Sequence, residues 1–66
     1  ALSAAEVAKL LGISSRHVWK LASSGRLPKP IRLGRSVRWS ADELRSWIDA
    51  GCPTREQWDA LREEAR

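Results

Sequence analysis

The chain has 66 residues, a net charge of +4, one histidine and one cysteine, Cys52. A chain of this length leaves little room for a core and an enclosed catalytic pocket together, and a single cysteine excludes both an internal disulfide and a structural zinc site. Since no apolar run approaches the ~20 residues of a membrane span and no signal-peptide pattern is present, we expect one cytoplasmic domain over residues 1–66, without metal, cofactor, membrane contact or small-molecule ligand.

The first predicted element is a helix over about residues 4–11. Ser3 and Glu6 form a capping box, in which each side chain accepts the backbone N–H of the other residue. Gly12 suits the left-handed conformation that ends a helix. Residues at helical spacing form the predicted inward face: Val7, Leu10 and Leu11.

The second predicted helix begins after Ser14, whose hydroxyl suits an N-cap, and ends near residues 23–24, before Gly25. Its inward apolar face consists of Val18, Leu21 and Ala22. Its other faces carry no acidic residue. They carry side chains that can donate hydrogen bonds: Ser15, Arg16, His17, Lys20 and Ser23. Two short helices joined by a glycine-containing turn indicate a helix-turn-helix over about residues 3–24, although ordinary corners in helical bundles have the same shape.

Residues 31–39 are predicted to form a β-hairpin. Pro28 and Pro30 prevent the preceding segment from continuing as a helix. Apolar and basic residues then follow a period of two, which is typical of a half-buried hairpin. The apolar members are Ile31, Leu33, Val37 and Trp39.

The register of this hairpin depends on the length of its loop. A three-residue loop pairs Leu33 with Val37 and keeps the apolar side chains on one face, whereas a two-residue turn puts Val37 opposite Arg32. We therefore predict the longer loop, which leaves Arg32 and Arg38 on the outer face and Arg35 at the tip. This hairpin is a basic β-wing.

A third helix over about residues 41–50 follows a predicted second capping box between Ser40 and Glu43. Its inward face contains Leu44, Trp47 and Ile48. A short, charged helical segment over about residues 53–65, on which Trp58, Leu61 and Ala65 share a face, is expected to dock through Trp58 and Leu61. Trp39, Trp47 and Trp58 are predicted core residues, and Cys52 is expected to be buried as a small apolar residue. The predicted fold is α+β, mainly helical: a winged helix-turn-helix.

Charge is distributed unevenly along the chain. Residues 1–40 carry eight basic groups and one acid, whereas residues 41–66 carry four basic groups and seven acids. This asymmetry favours a polyanionic partner for the first region, although a solvated basic surface has the same composition. Because His17 is the only histidine and no glycine-rich phosphate loop is present, we do not expect an enzyme.

The basic helix and the basic wing together predict binding to double-stranded DNA. In a major groove the second helix would present its base-reading side chains, Ser15, Arg16, His17 and Lys20. Arg16 suits a bidentate contact with guanine, and Lys20 reaches bases or the backbone. The wing arginines, Arg32, Arg35 and Arg38, would contact phosphates or a flanking minor groove. Their alternative role is a solvated edge that blocks strand aggregation.

Three further residues are candidates for a phosphate contact: Ser14, Trp19 and Lys29. Trp19 has two interpretations. Either it packs against the stem of the wing near Pro28 or Pro30, or its indole N–H donates to a phosphate. We favour packing with partial exposure.

Several segments resemble the AlpA-like phage regulators and small excisionases, which are winged helix-turn-helix proteins related to the DNA-binding domain of the MerR family. The resemblance covers about residues 2–50. It depends on residues 2–14 (LSAAEVAKLLGIS), 18–21 (VWKL), 25–34 (GRLPKPIRLG) and 37–39 (VRW), followed by Leu44, Trp47 and Ile48. Leu27 departs from the family, whose members often have an aromatic residue there.

The resemblance implies one of two functions. The protein would control transcription of genes in a phage or other mobile element, such as an integrase gene, or it would act as a recombination directionality factor that bends DNA and helps an integrase excise. Its partners would be DNA at the nucleoid and either an integrase or further copies of itself on adjacent sites. The alternative class is a protein-interaction module, an adaptor or anti-repressor that uses the Trp58 and Leu61 face.

Overall fold

The structure, a computed structural model, describes residues 1–64. Within this range the chain forms four helices and one two-stranded antiparallel sheet. The elements are α1 (Ala4–Leu11), α2 (Ser15–Ser23), β1 (Ile31–Leu33), β2 (Ser36–Arg38), α3 (Ala41–Asp49) and α4 (Arg55–Glu64). This order confirms the predicted α+β, mainly helical winged helix-turn-helix. Ala65, predicted to share a face with Trp58 and Leu61, lies outside the described residues.

Side-chain caps determine where the helices begin. The hydroxyls of Ser3, Ser14 and Ser40 each accept the backbone N–H three residues further on. The capping box between Ser3 and Glu6 is complete, whereas the predicted second box is only half formed. The Glu43 carboxylate is not bonded to Ser40, because its Oε2 instead accepts the indole N–H of Trp58 at 3.3 Å and pairs with Arg62.

The core lies where α1, α2, α3 and α4 meet the end of β2. Its buried apolar residues are Val7, Ala8, Val18, Leu27, Trp39, Leu44, Trp47 and Trp58. The three tryptophans are buried as predicted, and each indole N–H has an acceptor: the carbonyls of Pro28 and Pro53 and the Glu43 carboxylate. Burial of these large rings therefore leaves no indole donor unsatisfied.

Leu10 is not an inward residue, contrary to the prediction. It is 46% exposed, whereas Val7 and Ala8 are buried. At about 100° per residue, Val7, Ala8 and Leu11 define one face of α1, and Leu10 lies roughly a quarter-turn away from it. Ala8 therefore belongs to the inward face of α1, where the spacing of the apolar residues had placed Leu10.

The register of the wing also differs from the prediction. Ile31 pairs with Arg38, Arg32 with Val37 and Leu33 with Ser36. The turn consequently has two residues, and Gly34 at its first position has φ 63°, which suits the glycine of a type II′ turn. Such a turn matches the natural twist of the strands.

The expectation of one apolar face failed because that face is not buried. Ile31 and Leu33 are 45% and 59% exposed, so burial does not force them to share a face with Val37. As a result, Arg32 and Arg38 lie on opposite faces of the wing rather than together on the outer face. A bridge between Leu2 and Trp39 ties the N-terminal segment to the end of β2.

Two predictions about the C-terminal region were also wrong. Cys52 is exposed, because it lies just beyond the turn that ends α3, where its backbone N–H donates to the carbonyl of Trp47 at 3.1 Å. On α4 only Trp58 docks into the core, since Leu61 remains 46% exposed.

Candidate nucleic-acid interface

Packing against α1 determines which face of α2 is free. Val18 is fully buried, and Leu21 and Ala22 are half-buried beside it. At about 100° per residue, Arg16 and Lys20 project from the side of α2 opposite Val18, and both are exposed. The centre of the free face therefore carries two cations one helical turn apart.

The other predicted base-reading residues flank this pair. Ser15 and His17 are exposed on either side of it. Ser14 accepts the backbone N–H of His17 at 3.1 Å, so its hydroxyl oxygen is already used as the N-cap of α2. The N-terminal turn of α2 contains no acid, so its free backbone donors and its cations give the same end of the helix a positive potential.

The wing lies next to α2 across a shallow cleft. This α2–wing cleft has a volume of about 230 Å³ and is lined by Trp19, Ala22, Ser23, Pro30, Arg32, Val37 and Arg55. Among the predicted wing cations, only Arg32 lines this cleft. The face of the hairpin that carries Arg32 and its cross-strand partner Val37 therefore points towards α2.

Trp19 packs within this cleft, as favoured from the sequence. Its ring centroid lies 5.6 Å from that of Trp39, with an angle of 60° between the rings, a tilted arrangement that is favourable for aromatic pairs. It also remains 47% exposed. The indole is thus held at the boundary between the core and the face of α2.

The remaining wing cations are spread apart. Arg35 is exposed in the turn, and Lys29 is exposed before β1. Arg38 is half-buried on the opposite face, where its Nη1 donates to the carbonyl of Val37 at 2.9 Å. The pKa of the nearby Glu6 carboxyl is lowered chiefly by its hydrogen bond from the backbone N–H of Ser3, with a small contribution from the charge of Arg38. The predicted set of three wing arginines is therefore not one cluster.

Arg55 is a residue of this region that the sequence did not single out. Its backbone N–H and its side chain donate to three carbonyls, in the last turn of α2 and in the segment that leads to the wing: Ala22, Gly25 and Leu27. These partners lie 28 residues or more away along the chain. No local spacing rule indicates such a contact. A capping box between Thr54 and Gln57 is the one nearby signal, and it marks only the start of α4.

Neither a metal-binding group nor a membrane-spanning helix is found among the described residues. Residues 1–64 contain no group of three or more histidine, cysteine or acidic side chains arranged to hold a metal ion. None of the helices within that range has the length and apolar character needed to cross a membrane.

Comparison with known proteins gives one match. The family described as "Helix-turn-helix domain" matches residues 1–52, which contain α1, α2, the wing and α3. No curated protein and no solved structure matches the chain at a significant level. Because the match spans most of the 66 residues and includes both helices of the motif with the exposed basic face of α2, the chain belongs to this helix-turn-helix family, whose general function is DNA binding.

Proposed function

We propose that this protein binds double-stranded DNA at specific sequences, with α2 in the major groove and the wing against the flanking backbone. The observation that carries the proposal is the free face of α2. Arg16 and Lys20 project opposite the buried Val18, so they can enter a groove without disturbing the core. An α-helix fits the major groove, where each base pair presents a distinct set of donors and acceptors.

Within this proposal the cations have different roles. Arg16 lies in the first turn of α2, the part of a reading helix that usually contacts base edges, and its planar guanidinium suits a bidentate contact with guanine. Lys20 contacts a base or the backbone one turn further on. Ser15 and His17 reach bases at the edges of the same surface.

The wing supplies affinity more than sequence preference. Arg32 lies on the side of the wing that faces α2, and Arg35 lies at the tip of the wing. Both can therefore reach phosphates beside the groove. Ser14, Trp19 and Lys29 are additional candidates for phosphate contacts. Arg38 is the weakest candidate, because it lies on the opposite face and already donates to a carbonyl.

The test of this mechanism is a salt titration of binding to duplex DNA. About six phosphate contacts should reduce affinity on the order of 10³-fold between about 50 and 200 mM salt, because each contact releases condensed counterions. An affinity that does not change over this range would exclude the mechanism. Selection of bound duplexes from a random library should then give a preferred motif. If the selected duplexes shared no motif, sequence-specific recognition would be excluded.

We further propose that the biological role is that of an AlpA-like regulator or a recombination directionality factor of a mobile element. Its support is the resemblance over residues 2–50 together with the helix-turn-helix match over residues 1–52. The two roles differ in what happens to the DNA. A directionality factor should bend its site, which raises energy transfer between dyes on the two duplex ends, whereas a simple regulator should leave the end-to-end distance nearly unchanged.

The alternative, an interaction module that uses the Trp58 and Leu61 face, has less support. Trp58 is 7% exposed and belongs to the core, so only Leu61 of that pair is available to a partner. Capture of a protein through α4, with no binding to duplex DNA at low salt, would favour this alternative.

A further inference from the structure

Helix α4 lies beyond residues 1–52, the segment that matches the helix-turn-helix family. Its first residue nevertheless bonds to α2 and to the segment that leads from α2 to the wing. The backbone N–H of Arg55 donates to the carbonyl of Gly25 at 2.9 Å. Its side chain donates from Nη2 to Ala22 at 2.9 Å and from Nε to Leu27 at 3.0 Å.

The two acceptors of the side chain lie on either side of the turn at Gly25. Ala22 is in the last turn of α2, where its carbonyl also accepts the backbone N–H of Gly25 at 3.4 Å, and Leu27 lies in the stretch that leads to β1. The segment turns at Gly25, which has φ 73°. The backbone N–H groups of Gly25 and Arg26 also donate to carbonyls at the end of α2, and the Trp39 indole donates to Pro28. The Arg55 side chain joins the end of α2 directly to Leu27.

The chemistry of the contact suits a rigid link. A guanidinium presents its N–H groups in a planar, fixed arrangement, so two bonds to different carbonyls determine the distance between them. Arg55 is half-buried, which strengthens these charge-assisted bonds relative to exposed ones. The same cation lies near the C-terminal end of α2, where positive charge is favourable.

We propose that Arg55 is a positioning residue that sets the orientation of the wing relative to α2, and thereby contributes to the choice of DNA sequence. The proposal rests on the proposed function above. If α2 and the wing contact one duplex together, a change in their relative orientation moves Arg16 out of register with its base when the wing is seated. Arg55 then affects specificity without contacting DNA.

A direct contact with phosphate is the competing role, because Arg55 also lines the α2–wing cleft. Salt dependence separates the two roles. Loss of a phosphate contact weakens binding to all sequences and reduces the salt slope by about one. Loss of a positioning residue leaves the slope unchanged and lowers the ratio of affinities for the preferred and unrelated duplexes.

The experiment compares Arg55→Met, Arg55→Lys and Arg62→Met in the full chain. Affinities are measured for the motif selected by the wild-type protein and for an unrelated duplex, over a range of salt concentrations. The temperature is kept well below the melting temperature of each protein variant. Arg62→Met is the matched control, since it removes a cation from the same helix that pairs with Glu43 on α3 rather than with α2.

We expect Arg55→Met to lower the ratio of affinities about tenfold, comparable to weakening one bidentate base contact, with an unchanged salt slope. Arg55→Lys should fall between Arg55→Met and the wild type, because an ammonium lacks the fixed fork of the guanidinium. Arg62→Met should match the wild type in both measurements.

Two results would overturn the inference while leaving DNA binding intact. In the first, Arg55→Met reduces the salt slope by about one and keeps the wild-type ratio, which identifies a phosphate contact. In the second, the variant melts at a lower temperature but keeps both ratio and slope, which identifies a purely structural role. If the wild-type protein itself fails to distinguish the two duplexes, the proposed function fails and the inference fails with it.

Discussion

Helix α2 and the later helices α3 and α4 place a tryptophan and an arginine in opposite environments. Trp19 is 47% exposed and Arg16 is exposed, whereas Trp47 is 3% exposed and Arg55 donates to carbonyls of α2 and the segment after it. The difference shows that residue type alone does not determine whether a side chain binds a partner or stabilises the fold. Under the proposed function, the exposed face of α2 binds DNA, whereas Trp47 stabilises the core and Arg55 aligns α2 with the segment that leads to the wing.

The largest expected effect that tests this comparison is the loss of stability when a tryptophan is replaced by alanine. Trp47→Ala should lower the free energy of unfolding by about 3–5 kcal/mol, because it removes a buried ring and leaves a cavity. Trp19→Ala should cost clearly less, since about half of that ring is already in water. Urea unfolding of the two variants measures both costs. Equal losses of stability would contradict the assignment of the two rings to different roles.

The next effect concerns the free face of α2. Arg16→Ala should weaken binding to the preferred site by about 1–3 kcal/mol and relax the choice of base at one position. Stability should change little, because the side chain is exposed. Repeating the site selection with this variant is the measurement. If the preferred motif were unchanged, α2 would not be the reading helix.

A smaller and more uniform effect is expected at the wing. Arg35→Ala should weaken binding to all duplexes about equally and reduce the salt slope by about one, as for a phosphate contact. Arg38→Ala is its matched control, since that residue lies in β2 on the face opposite Arg32 and is half-buried. A loss of affinity for Arg38→Ala as large as that for Arg35→Ala would indicate that this face contributes as much as the tip of the wing.

The smallest effect is a pH dependence at the start of α1. The pKa of the Glu6 carboxyl lies below its ordinary value of 4.5, chiefly because the carboxylate accepts the backbone N–H of Ser3. A lowered pKa means that the ionised group stabilises the fold above its unfolded pKa and that this contribution disappears as pH falls through the folded pKa.

Glu6→Gln should therefore melt below the wild type near neutral pH, with the difference in melting temperature shrinking as the pH is lowered to about 3. Thermal melts of both proteins across this range provide the measurement. A difference that grew on acidification would contradict the assigned direction of the shift.

Helix positions and the free face of α2 were predictable because the interactions that determine them are local. The hydroxyls of Ser3 and Ser14 cap residues three positions away, and the spacing of Val18, Leu21 and Ala22 indicates which side of α2 turns inward. Trp39, Trp47 and Trp58 were also predictable as core residues.

The expectations that failed depended on which partner a side chain meets. Glu43 was predicted to complete a local cap, but its carboxylate bonds to Trp58 and Arg62 on α4. Leu10 was given an inward position that Ala8 occupies, and Cys52 was expected to be buried but is exposed. Contacts with α4 decided the outcome for Glu43. The exposure of Leu10 follows from its place around α1, and that of Cys52 from the turn that ends α3.

The sequence by itself determined that two capped helices precede a basic hairpin, and that α2 presents Arg16 and Lys20 opposite an apolar face. Helical periodicity and capping act within four residues, so they are readable from the chain alone. Only the tertiary structure decided that Arg32 faces α2 while Arg38 does not, and that Arg55 links α2 to the segment before the wing. These arrangements depend on the pairing of strands and on hydrogen bonds between residues far apart in the chain, which local spacing does not specify.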